Sequence, residues 1–175
     1  ILSAKLDKRE AGIIFAVVFF LGSVAPFAAY MIDILPVLGD PSLFLILTAC
    51  HAFASIGITG IIILCYSMLA DVADEMELMT TKRQEGILYS ALSFVQKLTF
   101  TLGTGFASFA LYAISFPKQT EPSLVPNGII FNLASVGFWS ALVFGVITIF
   151  CFLGYPLTRD KVADIQSKLQ IARSS

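Results

Sequence analysis

One lysine, Lys97, stands alone in an otherwise uncharged run from Gly86 to Phe116. If that run is a helix crossing a bilayer, the residue lies about 16 Å in from Gly86, near the middle of the hydrocarbon. An ammonium at that depth costs about 2.5 to 3.5 kcal/mol on insertion scales, so an anionic partner, a polar cavity or a ligand is needed to offset it. Its stem is too short to carry the charge back to the interface. The chemistry that suits such a group is binding and guiding a solute or ion, rather than bond making. At 100° per residue, Gly86, Ser90, Ser93, Thr101, Thr104, Ser108 and Ser115 share the face of Lys97, whereas Leu88, Val95, Leu102 and Phe106 fall opposite. The hydroxyl-bearing side asks for protein or water, and the bulky side for acyl chains.

A second group capable of chemistry is the charged stretch 71–85, where Asp71, Asp74 and Glu77 recur at i, i+3 and i+6 and Lys82, Arg83 and Glu85 follow. On a continued helix the three acids stack on one face and repel, so they call for cations. Lys82 and Arg83 of the same stretch and Lys5, Lys8 and Arg9 near the start are the candidates. The sole histidine, His51, has no second titratable group at its depth and reads as a packing or interfacial residue rather than a proton relay. Cys50, Cys65 and Cys151 sit in apolar runs and imply no disulfide framework. No metal cluster is expected, and no cofactor. Neither His-Glu-x-x-His nor Gly-x-Ser-x-Gly occurs, so an intramembrane enzyme is the weakest reading.

The elements that must position these residues follow from composition. Hydrophobic residues make up 57% of the 175 and charged residues 13%, about half the usual quarter. A net charge of −1 removes any broad electrostatic case for nucleic acid. The chain reads as an all-α membrane protein with four spans, 12–32, 43–70, 86–116 and 129–155, each long enough to cross about 30 Å of hydrocarbon. Pro36, Gly39 and Pro41 punctuate the first gap, and Pro117, Pro122, Pro126 and Gly128 the third. The second gap has neither residue type, so the helix there is expected to run on past the membrane. Pro26 is expected to kink the first span, and Trp139, deep in the fourth, reads as packing.

Lys and Arg concentrate in 1–11, 71–85 and 156–175, while the alternate segments hold only Lys118. By the positive-inside rule both termini are cytoplasmic, in a plasma or inner membrane, with 1–11 a cytoplasmic loop and 156–175 a cytoplasmic tail. Close helix contact is expected where small residues recur four apart, as at Ser55 and Thr59, Thr101 and Gly105, and Gly103 and Ala107.

Ala70, Asp71, Asp74, Glu77, Arg83, Glu85, Tyr89, Ser90 and Lys97, at these spacings, resemble the pattern between the tenth and eleventh helices of the melibiose-permease-like glycoside-pentoside-hexuronide:cation symporter family, within the major facilitator superfamily. Lys5-Leu6-Asp7-Lys8-Arg9 looks like the superfamily's basic loop motif, with Asp7 where a glycine is usual, and Glu75-Met76 replaces a common aromatic-glycine pair. Val162, Ile165 and Leu169 give the tail the helical spacing of the family's short terminal helix.

The resemblance implies that the four spans are the last four of a twelve-helix major facilitator fold, completed by amino-terminal helices of the same chain that also carry the cation site. It implies cation-coupled symport, sodium or proton, of a sugar or similar small solute by alternating access. Asp71, Asp74, Glu77, Arg83 and Glu85 would then belong to a cytoplasmic gate, and Lys97, with Ser93, Thr101 and Thr104, to the translocation pathway. The competing expectation is a stand-alone four-helix scaffold or assembly subunit.

Overall fold

The computed structural model describes residues 7–37, 40–117 and 125–174. Lys5, Gly39, Lys118 and Pro122, which entered the reading of loops and charge, lie outside them. Five helices follow in order: α1 (Lys8–Met31), α2 (Pro41–Thr80), α3 (Glu85–Ala113), α4 (Asn127–Leu153) and α5 (Arg159–Ser174). No strand occurs among the described residues. Three helices, α1, α2 and α4, are long and apolar enough to cross a membrane. At 29 residues α3 has the length, but its Ser, Thr, Gln and Lys side chains make it less apolar.

Local chemistry sets the helix ends. Asp7 precedes α1, and its N–H, which the helix leaves unbonded, donates to the Glu10 side chain at Oε2, 3.4 Å away. Asp40 caps α2: its Oδ1 accepts from the Ser42 N–H at 2.8 Å and the Ser42 hydroxyl at 2.6 Å, with Pro41 pre-set at the first helical position. Both bonds hold the Asp40 carboxyl below its ordinary range.

α2 runs unbroken through Asp71 to Thr80 and stops at Thr81, which adopts the left-handed conformation (φ 55°) while its N–H bonds to Glu77 O at 2.8 Å. Thr81 thus does what a glycine usually does at a helix end, at a strain of about 1 kcal/mol. A helix terminus therefore falls in a stretch with neither glycine nor proline.

Close approach of α1 to two neighbours organises the bundle. Toward α2, Gly57 lies against the backbone of Phe19, Gly60 lies under the Phe15 ring, and a Cβ added to Gly22 would sit 2.7 Å from Ala54 N. Toward α4, the rings of Phe20 and Phe27 lie on Gly145 and Gly137, and the ring of Phe152 on Gly12. Backbone-on-backbone contact of this kind gives helices their van der Waals attraction in lipid, where burial of apolar surface supplies no driving force between them. α1 continues through Pro26, whose missing N–H leaves the Gly22 carbonyl without its usual helical donor, at a residue that α2 approaches closely.

The contacts expected from residues four apart fall elsewhere. Gly103 and Gly105 face open space among the described residues, and Ser55 and Thr59 line a groove beside Phe15 and Gly60. Sequence spacing shows that a close contact is permitted; only the partner decides which site is used.

No residue of α3 is buried, and it touches α2 and α4 lightly at the edge of the bundle. The accessible surface, 12011 Å², exceeds the roughly 8,400 Å² expected of a compact soluble chain of this mass. Trp139 is 60% exposed, its ring edge-on to Phe138, so it does not pack in the interior of these helices.

Candidate functional site

The two sets of candidate residues occupy different places. One is the end of the bundle where α1 begins, α2 ends and α4 passes into α5. There Lys8 Nζ meets Asp71 Oδ2 at 2.6 Å and also donates to the Ser67 carbonyl at 3.3 Å. The Tyr155 hydroxyl donates to the same Asp71 oxygen at 3.1 Å. Asp71 is the buried polar residue of the described structure, 4% exposed, while the Lys8 side chain is 31% exposed. A carboxylate so buried is tolerable only with a partner charge and further hydrogen bonds, and it has both. Burial, followed by the negative charge of Asp71 and the hydrogen bond to it, pushes the Tyr155 phenol well above its usual range.

The rest of the acidic stretch is engaged from the tail. Lys161 Nζ lies 2.9 Å from Glu75 Oε1, and Gln166 Nε2 lies 3.5 Å from Asp74 Oδ2. Beneath these contacts Leu157, Ile165 and Leu169 are buried against Val72, Leu78, Tyr155 and Val162. Burying three such side chains stabilises by about 1.5 to 3 kcal/mol each, whereas an exposed ion pair like Lys161–Glu75 contributes about 0 to 1. Apolar contact therefore docks α5, and the polar contacts fix its register.

Arg83 pairs with Glu85, Nη2 to Oε1 at 2.7 Å, on an exposed surface. That bond and charge, with the more distant Glu77 and Asp74, raise the guanidinium's already high pKa. Of the five expected gate residues, Asp71 and Asp74 meet α1 and α5, Arg83 and Glu85 meet each other, and Glu77 accepts the Thr81 N–H through its carbonyl. Glu75, Tyr155 and Lys161 belong to the cluster but were not singled out from sequence. Charge pairing between 71–77 and the tail's basic residues was the available signal for Lys161; nothing in the local pattern marks Tyr155.

The other place is the outer side of α3. Tyr89, Ser90, Ser93, Phe94 and Lys97 line a shallow groove of about 420 Å³. Lys97 and Ser93 are thus brought together; Thr101 and Thr104 lie further along the same face, their hydroxyls donating to the carbonyls of Lys97 and Phe100 at 3.0 and 2.9 Å. Donating to the preceding turn leaves each hydroxyl oxygen able to accept from a ligand. Lys97 Nζ makes no ion pair or hydrogen bond among the described residues. Tyr66 of α2 stacks on Tyr89 with ring centroids 6.3 Å apart, and its hydroxyl receives a long bond from Gln96, 3.5 Å. These contacts set the rotation of α3 so that the Lys97 face stands clear of α2. His51 is exposed, its carbonyl accepting from Ser55.

Long apolar helices, an amine on the hydroxyl-bearing face of α3 and a charged helix-end cluster together mark an integral membrane protein. The comparisons agree: residues 1–159 match the family described as MFS/sugar transport protein, and the chain belongs to it. It is similar to an uncharacterized symporter of Synechocystis sp., 30% identical over 176 residues, covering 97% of this chain and 30% of that relative. The chain thus spans about a third of the relative's length. No solved structure matches it.

Proposed function

We propose that this chain contributes the last four membrane helices of a twelve-helix secondary transporter that couples uptake of a sugar or similar small solute to a cation, sodium or proton. In this reading α3 is the fourth span and Lys97 faces the central solute pathway together with Ser93, Thr101 and Thr104. The observation that carries it is Lys97: an amine beside Ser93 in an open groove, on a helix face of hydroxyls with no protein partner among the described residues. Intramembrane ionisable groups mark solute and ion pathways. In carriers of this architecture, sites lie at the midplane between two halves that rock against each other. An alignment occupying 30% of the symporter relative is close to the share that four helices of twelve would take. The unburied α3 disfavours a self-sufficient four-helix scaffold, because its polar face would be left against lipid.

In this reading the charged end, rich in Lys and Arg, lies on the cytoplasmic side and serves as the gate. Asp71, Asp74, Glu77, Arg83 and Glu85 hold the cytoplasmic ends in one arrangement, and reorganising their ion pairs accompanies opening. The test is uptake by the full-length protein in membrane vesicles with an imposed sodium or proton gradient. Accumulation of a glycoside above its equilibrium level under one gradient is the expected result. Absence of gradient-driven accumulation across a panel of sugars and glycosides would overturn the reading.

A further inference from the structure

Tyr155 lies between α4 and α5, one residue past Gly154, and faces two ways. Its ring packs beside Leu157, Ile165 and Leu169, the cluster that docks α5. Its hydroxyl leaves that cluster and donates to Asp71 Oδ2, the oxygen already held by Lys8. A phenylalanine would fill the apolar site equally well, so docking of α5 does not explain the hydroxyl. What the hydroxyl adds is a second donor on one oxygen, which fixes the plane of a buried carboxylate that a single lysine contact leaves free to turn. The ring is positioned by the tail, so the hydroxyl is aimed only while α5 is docked. Glu75 and Asp74, held by Lys161 and Gln166, extend the same contact line along α2.

We propose that Tyr155 is a positioning residue of the gate and that α5 is the strap that holds it. Docking of the tail on the extended end of α2 sets the hydroxyl against Asp71, and so sets how firmly the Lys8–Asp71 pair is closed. The gate's role rests on the reading above; the positioning role rests on the geometry of these residues. Undocking the tail, by a modification or a partner that covers its apolar face, loosens the pair without touching either charge.

Two readouts on the full-length protein separate the two claims. With native cysteines replaced by serine, Ser67→Cys places a thiol at the residue whose carbonyl receives Lys8. Its alkylation by a water-soluble maleimide reports opening of the pair whether or not the protein transports. Tyr155→Phe is expected to raise that rate about tenfold, the worth of one hydrogen bond to a charged group. Ile165→Asp, which frees the tail and keeps Tyr155, should match it, and neither should add to Lys8→Ala. In uptake, Tyr155→Phe should lower the maximal rate and leave the KM for solute unchanged, a split that general unfolding does not give. Unchanged alkylation in Tyr155→Phe, or an effect fully additive with Lys8→Ala, overturns the positioning role even if transport is normal. The expected alkylation pattern in a chain that accumulates no solute supports the positioning role and sinks the transport reading.

Discussion

Lys8, the first residue of α1, and Asp71, far along α2, meet with Nζ and Oδ2 2.6 Å apart although 63 residues separate them. The pair ties the start of one helix to the continuation of the next at a point where α2 has run past its apolar section. The two members are unequal, since the carboxylate is almost fully covered and the lysine keeps access to solvent.

That inequality predicts an asymmetric response. Lys8→Ala strands a buried carboxylate and should destabilise by about 3 kcal/mol or more. Asp71→Asn leaves an ammonium that can turn to water and should cost about 1 to 2 kcal/mol. Thermal unfolding of the two purified full-length variants checks the order; equal losses would show that Asp71 is more solvated than the structure has it.

The glycine contacts predict a contrast within one residue type. Gly57→Ala drives a methyl into the Phe19 backbone, which cannot yield as a side-chain tip can, and should cost about 1 to 3 kcal/mol. Gly103→Ala meets open space in these helices and removes a poor helix former, so it should be neutral or stabilising by up to about 1 kcal/mol. Expression level and thermal stability of the pair, measured side by side, decide it. A harmful Gly103→Ala would show that a further helix packs on that face.

For solute handling, Lys97→Ala in the full-length protein should abolish concentrative uptake while the amount of protein in the membrane stays unchanged. Lys97→Arg keeps the charge but alters its shape and hydration, and should restore little. Undiminished accumulation by Lys97→Ala would remove this residue from the pathway.

Tyr155 gives a pH dependence whose sign is fixed by its raised pKa. The folded protein holds the phenolic proton more tightly than the unfolded chain. Its stabilising effect is therefore complete below the ordinary tyrosine pKa of about 10 and is lost as pH climbs beyond it. Unfolding temperatures taken from pH 9 upward should fall more steeply for the native protein than for Tyr155→Phe. Parallel curves would mean that ionisation at this position is not resisted.

Much of this arrangement was legible in the residues themselves. Apolar run lengths and the flanking prolines announce the helices, and the absence of glycine and proline after Ala70 announces that α2 continues. The periodicity of Val162, Ile165 and Leu169 marks the docked face of α5, where Ile165 and Leu169 are buried. Lys8 was among the cations within reach of the acidic stretch, because a stack of like charges requires a counter-charge. What could not be read were choices between equivalent partners. Ala54, Gly57 and Gly60, three apart, form the close seam with α1, while Gly103 and Gly105, equally small, do not. Tyr155 follows Gly154, just past the end of α4, and looks in sequence like an ordinary aromatic at a membrane boundary; its hydroxyl bond spans 84 residues, a separation that no local pattern encodes.

The length of α2 has a mechanical consequence. Forty residues in one unbroken helix extend about 60 Å, twice the thickness of the hydrocarbon. A rod of that reach is a lever: pivoting it by about 10° sweeps a tip 30 Å from the fulcrum sideways by about 5 Å, roughly one helical turn. Asp71 and Glu75 lie about 16 and 22 Å from the middle of the rod, so the same pivot moves them by about 3 and 4 Å, while the glycine seam with α1, near the middle, hardly shifts.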